Sequence, residues 1–120
     1  MDIVITLPAN IPWKEYRKEL EAVADGTQVM YFRVPQLPTK AHVGDRCYIL
    51  YRRLILGWME IVYIGGVDGF TCTTTDTRWP AGNYVGRSGK FHQLANPIIA
   101  GRGFQGFHYA DPEWRNAPER

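Results

Sequence analysis

Cysteine is scarce in this chain and long apolar runs are missing. Cys47 and Cys72 are the only two cysteines in 120 residues, with no CxxC pair and no Cys/His cluster. That spacing excludes the common structural zinc motifs. Two isolated thiols read as small half-buried side chains in a reducing compartment. No stretch approaches the roughly 18 apolar residues that cross a bilayer. The acid Asp2 stands where a secretion signal carries base. No membrane is expected as a partner, and a cytoplasmic location is expected. Serine occurs once, at Ser88, and His42, His92 and His108 are far apart. Nucleophilic catalysis needs a nucleophile with a base beside it, and this inventory offers no such pair. A lone histidine without a ligand-spaced partner does not make a metal site. The expectation is therefore no metal, no cofactor and no catalytic residue. The run Gly86-Arg87-Ser88-Gly89-Lys90 looks like a phosphate loop but lacks the GxxxxGK(S/T) spacing and a strand–helix context, so it reads as a turn.

Hydrophobic residues make up 45% of the chain and charged residues 22%, enough apolar content to offset chain entropy and argue against disorder. The length allows one core. Net charge is +2, unevenly spread. Residues 1–30 are acidic overall, while between 71 and 106 Arg78, Arg87, Lys90 and Arg102 face Asp76 alone. A basic second half invites a polyanionic partner.

Ile3, Ile5 and Leu7 alternate with Val4 and Thr6, which suits a short strand closed by Pro8. Asn10 is a candidate helix cap. Trp13, Tyr16, Leu20 and Val23 recur at offsets of three and four, one helical stripe over residues 13–24, with Gly26 as its left-handed stop. Residues 28–34 read as a strand, and the prolines at 35 and 38 open a loop. Cys47–Tyr51 and Leu54–Ile64 read as a hairpin turning at Arg52-Arg53. Gly65-Gly66 and Asp68-Gly69 are turn signals. Phe70–Thr75, Lys90–Leu94 and Phe104–Tyr109 read as further strands. Residues 1–111 make a single domain and residues 112–120 a polar C-terminal tail. One N-terminal helix with six or seven short strands is an α+β, mainly β, small bent barrel.

On strand 54–64, alternation puts Leu56, Trp58, Glu60 and Val62 on one face and Gly57, Met59, Ile61 and Tyr63 on the other. Glu60 is a functional candidate if it points inward and a solvent-facing acid if it points outward. Cations and aromatic rings interleave at Arg78-Trp79, Tyr84, Arg87 and Lys90-Phe91-His92, the combination that nucleic-acid binding uses.

Gly44-Asp45-Arg46-Cys47-Tyr48-Ile49-Leu50-Tyr51, followed by Ile55-Leu56-Gly57-Trp58-Met59-Glu60-Ile61-Val62, resembles the PUA-like superfamily, and in particular its ASCH and EVE branches and related small phage or prophage proteins. Phe104-Gln105-Gly106-Phe107-His108-Tyr109 is similar to their closing strand, and the Trp79…Gly82-Asn83-Tyr84 run fits the same pattern. The likeness spans roughly residues 28–110. It implies a pseudo-barrel whose cleft holds RNA, a modified or flipped base, or a nucleoside. Tyr31 and Arg33 would line one side of that cleft, Trp58 and Glu60 the other, with Lys40 in the intervening loop. ASCH enzymes that hydrolyse acylated cytidine carry a Lys and a Thr just before the first motif. Residues 28–33 here have neither, and only Glu60 stands near the family's acid.

The resulting expectation is a non-catalytic module for nucleic acid or a modified nucleobase. Arg33, Lys40, Arg87 and Lys90 would contact phosphate or sugar. Trp58, Trp79 and Tyr84 would stack, Tyr31 would line the cleft, and Glu60 would read a base edge. Two alternatives stay open: a small amidohydrolase or transferase on a modified nucleoside that uses Glu60, and a phage-derived inhibitor of a host protein.

Overall fold

The computed structural model describes residues 1–68, 70–71 and 78–120, with 70–71 and 78–79 as backbone only. The strand expected over 70–75 and the thiol of Cys72 thus fall largely outside the described residues. In chain order the elements are β1 (Ile3–Thr6), α1 (Trp13–Ala22), β2 (Met30–Val34), β3 (Arg46–Tyr51), β4 (Leu54–Val67), β5 (Phe70–Thr71), β6 (Arg78–Trp79), β7 (Gly82–Ile99), β8 (Phe107–Tyr109) and a 3-10 helix, Pro112–Asn116. Six strands form one curled sheet in the order β2-β7-β4-β3-β1-β8, and β5 pairs with β6. The pairing of β1 with β3 is parallel; the other pairings are antiparallel. The described residues are mainly β with one α-helix, and the sheet forms a half-barrel. Among the described residues no helix is long and apolar enough to cross a membrane.

The helical stripe explains how one end of the half-barrel is filled. Tyr16 and Leu20 of α1 and Val23, its C-cap, pack against Met30, Ile49 and Met59 on the inner face of the sheet. A ten-residue helix is marginal on its own in water. Burial of its aliphatic side chains, about 1.5–3 kcal/mol each, supplies what propensity does not. Asn10 does not cap it. The cap is Pro12, whose carbonyl accepts from the amides of Glu15 and Tyr16 at 3.1 and 3.2 Å. Further along the inner face, Ile3, Ile5, Cys47, Ile61 and Val85 meet Val34. Phe32 from edge strand β2 and Phe107 and Tyr109 from edge strand β8 pack on that same cluster. Side-chain packing therefore closes the seam that lacks a hydrogen-bonded ladder.

Two glycine-rich stretches depart from expectation. Gly65-Gly66 lies inside β4, and Gly82–Gly89 belongs to the 18-residue β7. These glycines continue the ladder instead of turning the chain, and Gly82 and Gly86 leave room for neighbouring side chains, Arg33 at the first and Val29, Tyr31 and Tyr63 at the second. At Gly57 of β4, a Cβ would overlap the His92 carbonyl and the Phe91 ring of β7. Gly89, at φ +83°, lies where the β4–β7 register slips between Trp58/Glu60, a bulge that L-residues resist.

The β3–β4 turn falls where expected, with an unusual composition. Arg52 and Arg53 both adopt positive φ, 49° and 70°, the geometry of a type I′ turn that favours Asn-Gly. The left-handed region costs an L-residue roughly 1–2 kcal/mol. Arg52 recovers part of this by donating to the Ala9 carbonyl at 3.2 Å and lying over the Tyr51 ring at 5.1 Å.

The C-terminal segment is not a free polar tail. Trp114 meets the Tyr48 ring edge-on at 5.3 Å. Arg115 donates through Nε and one terminal nitrogen to Asp2, both at 2.7 Å. The Asp2 carboxylate also accepts the Arg46 amide at 2.9 Å. Ala95 and Arg120 amides add backbone bonds between β7 and the segment. Its side-chain anchors Tyr48 and Asp2 lie more than 60 residues away in sequence, so local polarity gave no sign of docking.

Two predictions follow from these contacts. Replacing Arg52-Arg53 by Asn-Gly relieves both left-handed arginines and is expected to raise stability by about 1–2 kcal/mol, read as a higher urea midpoint at unchanged slope. Burial pushes the Asp2 carboxyl up, but the Arg115 hydrogen bonds and the Arg46 amide outweigh it and hold the group below its ordinary 3.8. A depressed acid contributes stability above its ordinary pKa and loses it as pH falls through the lowered value. Arg115→Ala should therefore cost about 1.5–3 kcal/mol at pH 7, and the difference from wild type should shrink in melts taken progressively below pH 3.8.

Candidate functional site

On the outer face of the sheet, register brings three rows of side chains together across β2, β7, β4 and β3. In the first, Tyr31 pairs with Gly86, which pairs with Tyr63. In the second, Ser88 pairs with Glu60, which pairs with Arg46. In the third, His92 pairs with Trp58, which pairs with Tyr48. Side chains opposite one another on one face of a sheet are in contact range. Tyr31, Trp58 and Glu60 from the expected cleft thus share a face. Tyr63, Arg46 and His92 join them.

Gly86 explains the first row. The Tyr31 and Tyr63 rings meet edge-to-face at 6.1 Å. A Cβ on Gly86 would come within 3.0 Å of Tyr63 Cβ and 3.2 Å of the Tyr31 ring, so the missing side chain leaves the two half-buried rings room to converge. Tyr63 was expected on the opposite face. A register shift between Ile61 and Tyr63 breaks the alternation and turns it outward, while Ile61 and Ile64 stay in the core. A second shift between Ile55 and Gly57 sends Leu56 against the cluster beside α1 instead of alongside Trp58.

Glu60 points outward and is exposed. It lines a shallow depression of about 260 Å³ with Val29, Val62, Ser88 and Gly89. The Ser88 hydroxyl donates to the Gln28 carbonyl, so it is occupied and not poised as a nucleophile. The Cys47 thiol is fully buried on the inner face, and burial pushes its pKa up to about 11, leaving it inert. Among the described residues no group of three His, Cys, Asp or Glu side chains is arranged to hold a metal.

The third row is stacked. The His92 ring lies parallel to Trp58 at 3.8 Å between centroids. The Arg46 guanidinium lies 4.0 Å from the Trp58 ring centre and donates to the Tyr48 hydroxyl at 3.2 Å. His92 and Arg46 come from the strands flanking β4 on opposite sides, so both faces of the indole are covered. Trp58 therefore offers an edge, not a face, to any ligand. His92 Nδ1 bonds the Glu119 carboxylate at 2.8 Å; a carboxylate only accepts, so Nδ1 carries the proton.

Of the other expected site residues, Arg33 and Tyr84 pair across β2 and β7 beside Tyr31, whose ring meets that of Tyr84 edge-on at 6.3 Å, and the rest are dispersed. Arg33 is exposed on β2, reaching the Ala81 carbonyl at 3.4 Å beside a depression shared with Asn83 and Gln105. Lys40 lies beside β8, its amide donating to the Tyr109 hydroxyl at 3.0 Å. Lys90 is exposed next to Arg17 and Glu21 of α1. Tyr84 is fully buried, with its hydroxyl donating to the Pro80 carbonyl at 2.7 Å, and has no face to stack. Trp79 lies on β6, where its side chain is outside the described residues. Arg87 is the clearest correction. It points into the half-barrel at 3% exposure and donates to the Tyr16 hydroxyl at 3.0 Å, out of reach of a surface phosphate. Gly86 and Gly89 read as a turn from sequence, but the strand through them alternates and turns residue 87 inward. Sequence reasoning passed over Arg46 as part of a fold motif and placed Tyr63 on the face opposite Glu60. The His92 alternation within a β segment was the one legible hint.

The chain matches no family model, no curated protein and no solved structure.

If Arg87 is structural filler and not a ligand contact, an apolar side chain of similar length should serve. Arg87→Met is expected to leave stability at or above wild type within about 1.5 kcal/mol. Urea denaturation tests this; a loss well beyond that range would mean the buried charge itself is required.

Proposed function

We propose that the outer face of β2, β7, β4 and β3 binds a nucleobase-bearing ligand, either single-stranded nucleic acid or a free or modified nucleoside, and performs no chemistry on it. One observation carries this reading: the exposed Glu60 carboxylate lies between the Tyr31–Tyr63 ring pair and Arg46. A base needs an aromatic surface for its face and an acceptor for its amino edge. Stacking supplies about 1–3 kcal/mol per base, and a carboxylate accepts from an exocyclic amine such as that of cytosine. The PUA-like resemblance of residues 44–51 and 55–62 supports the same ligand class. The occupied Ser88 hydroxyl and the inert Cys47 thiol favour binding over hydrolysis. The scatter of Arg33, Lys40 and Lys90 favours contact with one or two nucleotides over a long polyanion, so few counterions are released.

Tryptophan fluorescence tests this, because Trp58 sits within the face. Titration with single-stranded RNA, single-stranded DNA and nucleosides is expected to quench emission with a shallow salt slope, near −1, and duplex DNA is expected to do nothing. Tyr31→Ala and Glu60→Gln should each weaken binding about tenfold, or 1.4 kcal/mol. Silence toward all single-stranded and nucleoside probes from a folded protein would overturn the reading, as would binding that neither substitution changes.

A further inference from the structure

Three planar nitrogen-bearing groups, from Arg46, Trp58 and His92, stack side by side on the outer face at 4.0 and 3.8 Å. The stack borders one carboxylate, that of Glu119 near the end of the C-terminal segment, through His92. His92 Nδ1 bonds it at 2.8 Å. Trp58 Nε1 is shut off from solvent and has no hydrogen-bond partner among the described residues, and the His92 hydrogen bond first, with the nearby Arg46 and Trp58 after it, holds the Glu119 carboxyl below its ordinary value. Arg46 forms no ion pair among the described residues. A guanidinium, an imidazole N–H and an unpartnered indole N–H thus lie stacked beside a single acceptor, the donor types of an oxyanion site. Glu119 itself is 40% exposed on its side chain. It is held from outside, by a backbone bridge to Leu94 and the bond from the Ala95 amide to the Pro118 carbonyl.

We propose that Arg46, Trp58 and His92 form an oxyanion site, that the chain's own Glu119 fills it, and that a phosphate group is the external ligand that displaces Glu119. The identity of the whole ligand rests on the reading of the neighbouring row as a nucleobase site. Glu60 and Trp58 are two residues apart on β4, roughly 7 Å, a span that one nucleotide covers. The ligand class is then a nucleoside monophosphate or the 5′-phosphate end of a single strand, with its base at Glu60 and its phosphate at Arg46 and His92. The C-terminal segment acts as an intramolecular competitor for the phosphate.

The experiment compares wild type, Glu119→Ala, Glu119→Gln, Glu113→Gln, and Glu119→Ala combined with Arg46→Ala. The probes are inorganic phosphate, cytidine and cytidine 5′-monophosphate, and the readouts are tryptophan fluorescence and the NMR signals of the His92 ring. Glu119→Ala is expected to bind inorganic phosphate at least tenfold more tightly than wild type, with a shift of the His92 signals, and Arg46→Ala is expected to abolish the gain. Glu119→Gln keeps the shape of the segment and should show a smaller gain in the same direction if Glu119→Ala fails to fold. Glu113 is an acid of the same segment away from the stack, so Glu113→Gln should change nothing. Equal phosphate affinity in wild type and both folded Glu119 variants overturns the proposal. So does a gain that survives Arg46→Ala, or one that Glu113→Gln reproduces. Cytidine separates the two readings. If phosphate binding rises while cytidine never binds, the oxyanion site stands and the nucleobase reading falls. If cytidine binds and phosphate shows no gain, the reverse holds.

Discussion

The long antiparallel pairing of β4 with β7 is the constraint from which most of this architecture follows. Fourteen residues of one strand run against eighteen of the other, and the register slips three times along the way. Each slip turns side chains that simple alternation would send elsewhere. One puts Leu56 against the helix side of the core, another puts Tyr63 outside beside Tyr31, and the one next to Gly89 frees Lys90 and Phe91 toward α1. Gly57 makes the approach possible, because any side chain there would meet the backbone of His92. Bulges also bend a strand and strengthen its twist, which is how a sheet of six strands curls into a half-barrel.

That curl gives the sheet two unlike faces. The inner one is filled by aliphatic side chains and plugged by α1, and it takes in even Arg87 and Cys47. The outer one is divided. Over β1, β3 and the β3–β4 end, Trp114 and Ala117 of the C-terminal segment, together with Phe104 just before β8, cover Val4, Tyr48, Leu50 and Ile55. The buried Asp2 is the pin that holds this cover, since Arg115 and the Arg46 amide converge on its carboxylate. Over β2 and the middle of β7 and β4, the same face stays open around Glu60. The candidate site is therefore the border between a covered and an uncovered half of one sheet, and Glu119 sits on that border.

The chemistry at the border explains why side chains of such different kinds share it. Stacking lets the Arg46 guanidinium and the His92 imidazole share one indole between them, and the Glu119 carboxylate accepts the N–H of the imidazole. A charged group beside an aromatic ring in partly dry surroundings interacts more strongly than it would in water. The same arrangement that steadies the C-terminal segment is suited to an external oxyanion, so structural and ligand-binding roles compete for one set of donors.

Much of the local structure was legible from the chain. The stripe of Tyr16, Leu20 and Val23 determined a helix and its buried side. The runs 46–51 and 54–64 determined a hairpin with its turn at Arg52-Arg53. The missing CxxC pairs and the single serine pointed away from zinc and nucleophilic chemistry. These are properties of neighbours in sequence, set by the 3.6- and 2-residue periods. What only the tertiary structure decided depends on partners far apart. Gly86 looks like a turn residue until Tyr31 and Tyr63 are seen to close over it. Arg87 looks like a phosphate contact until β7 alternation turns it beneath Tyr16. Residues 112–120 look like a polar tail, and only the fold shows Asp2 taking up Arg115 from the other end of the chain. A two-residue period tells which side chains share a face, but a single bulge reverses it, and bulges arise from pairing with another strand. For that reason the identity of the elements could be read from the sequence, while the membership of the site could not.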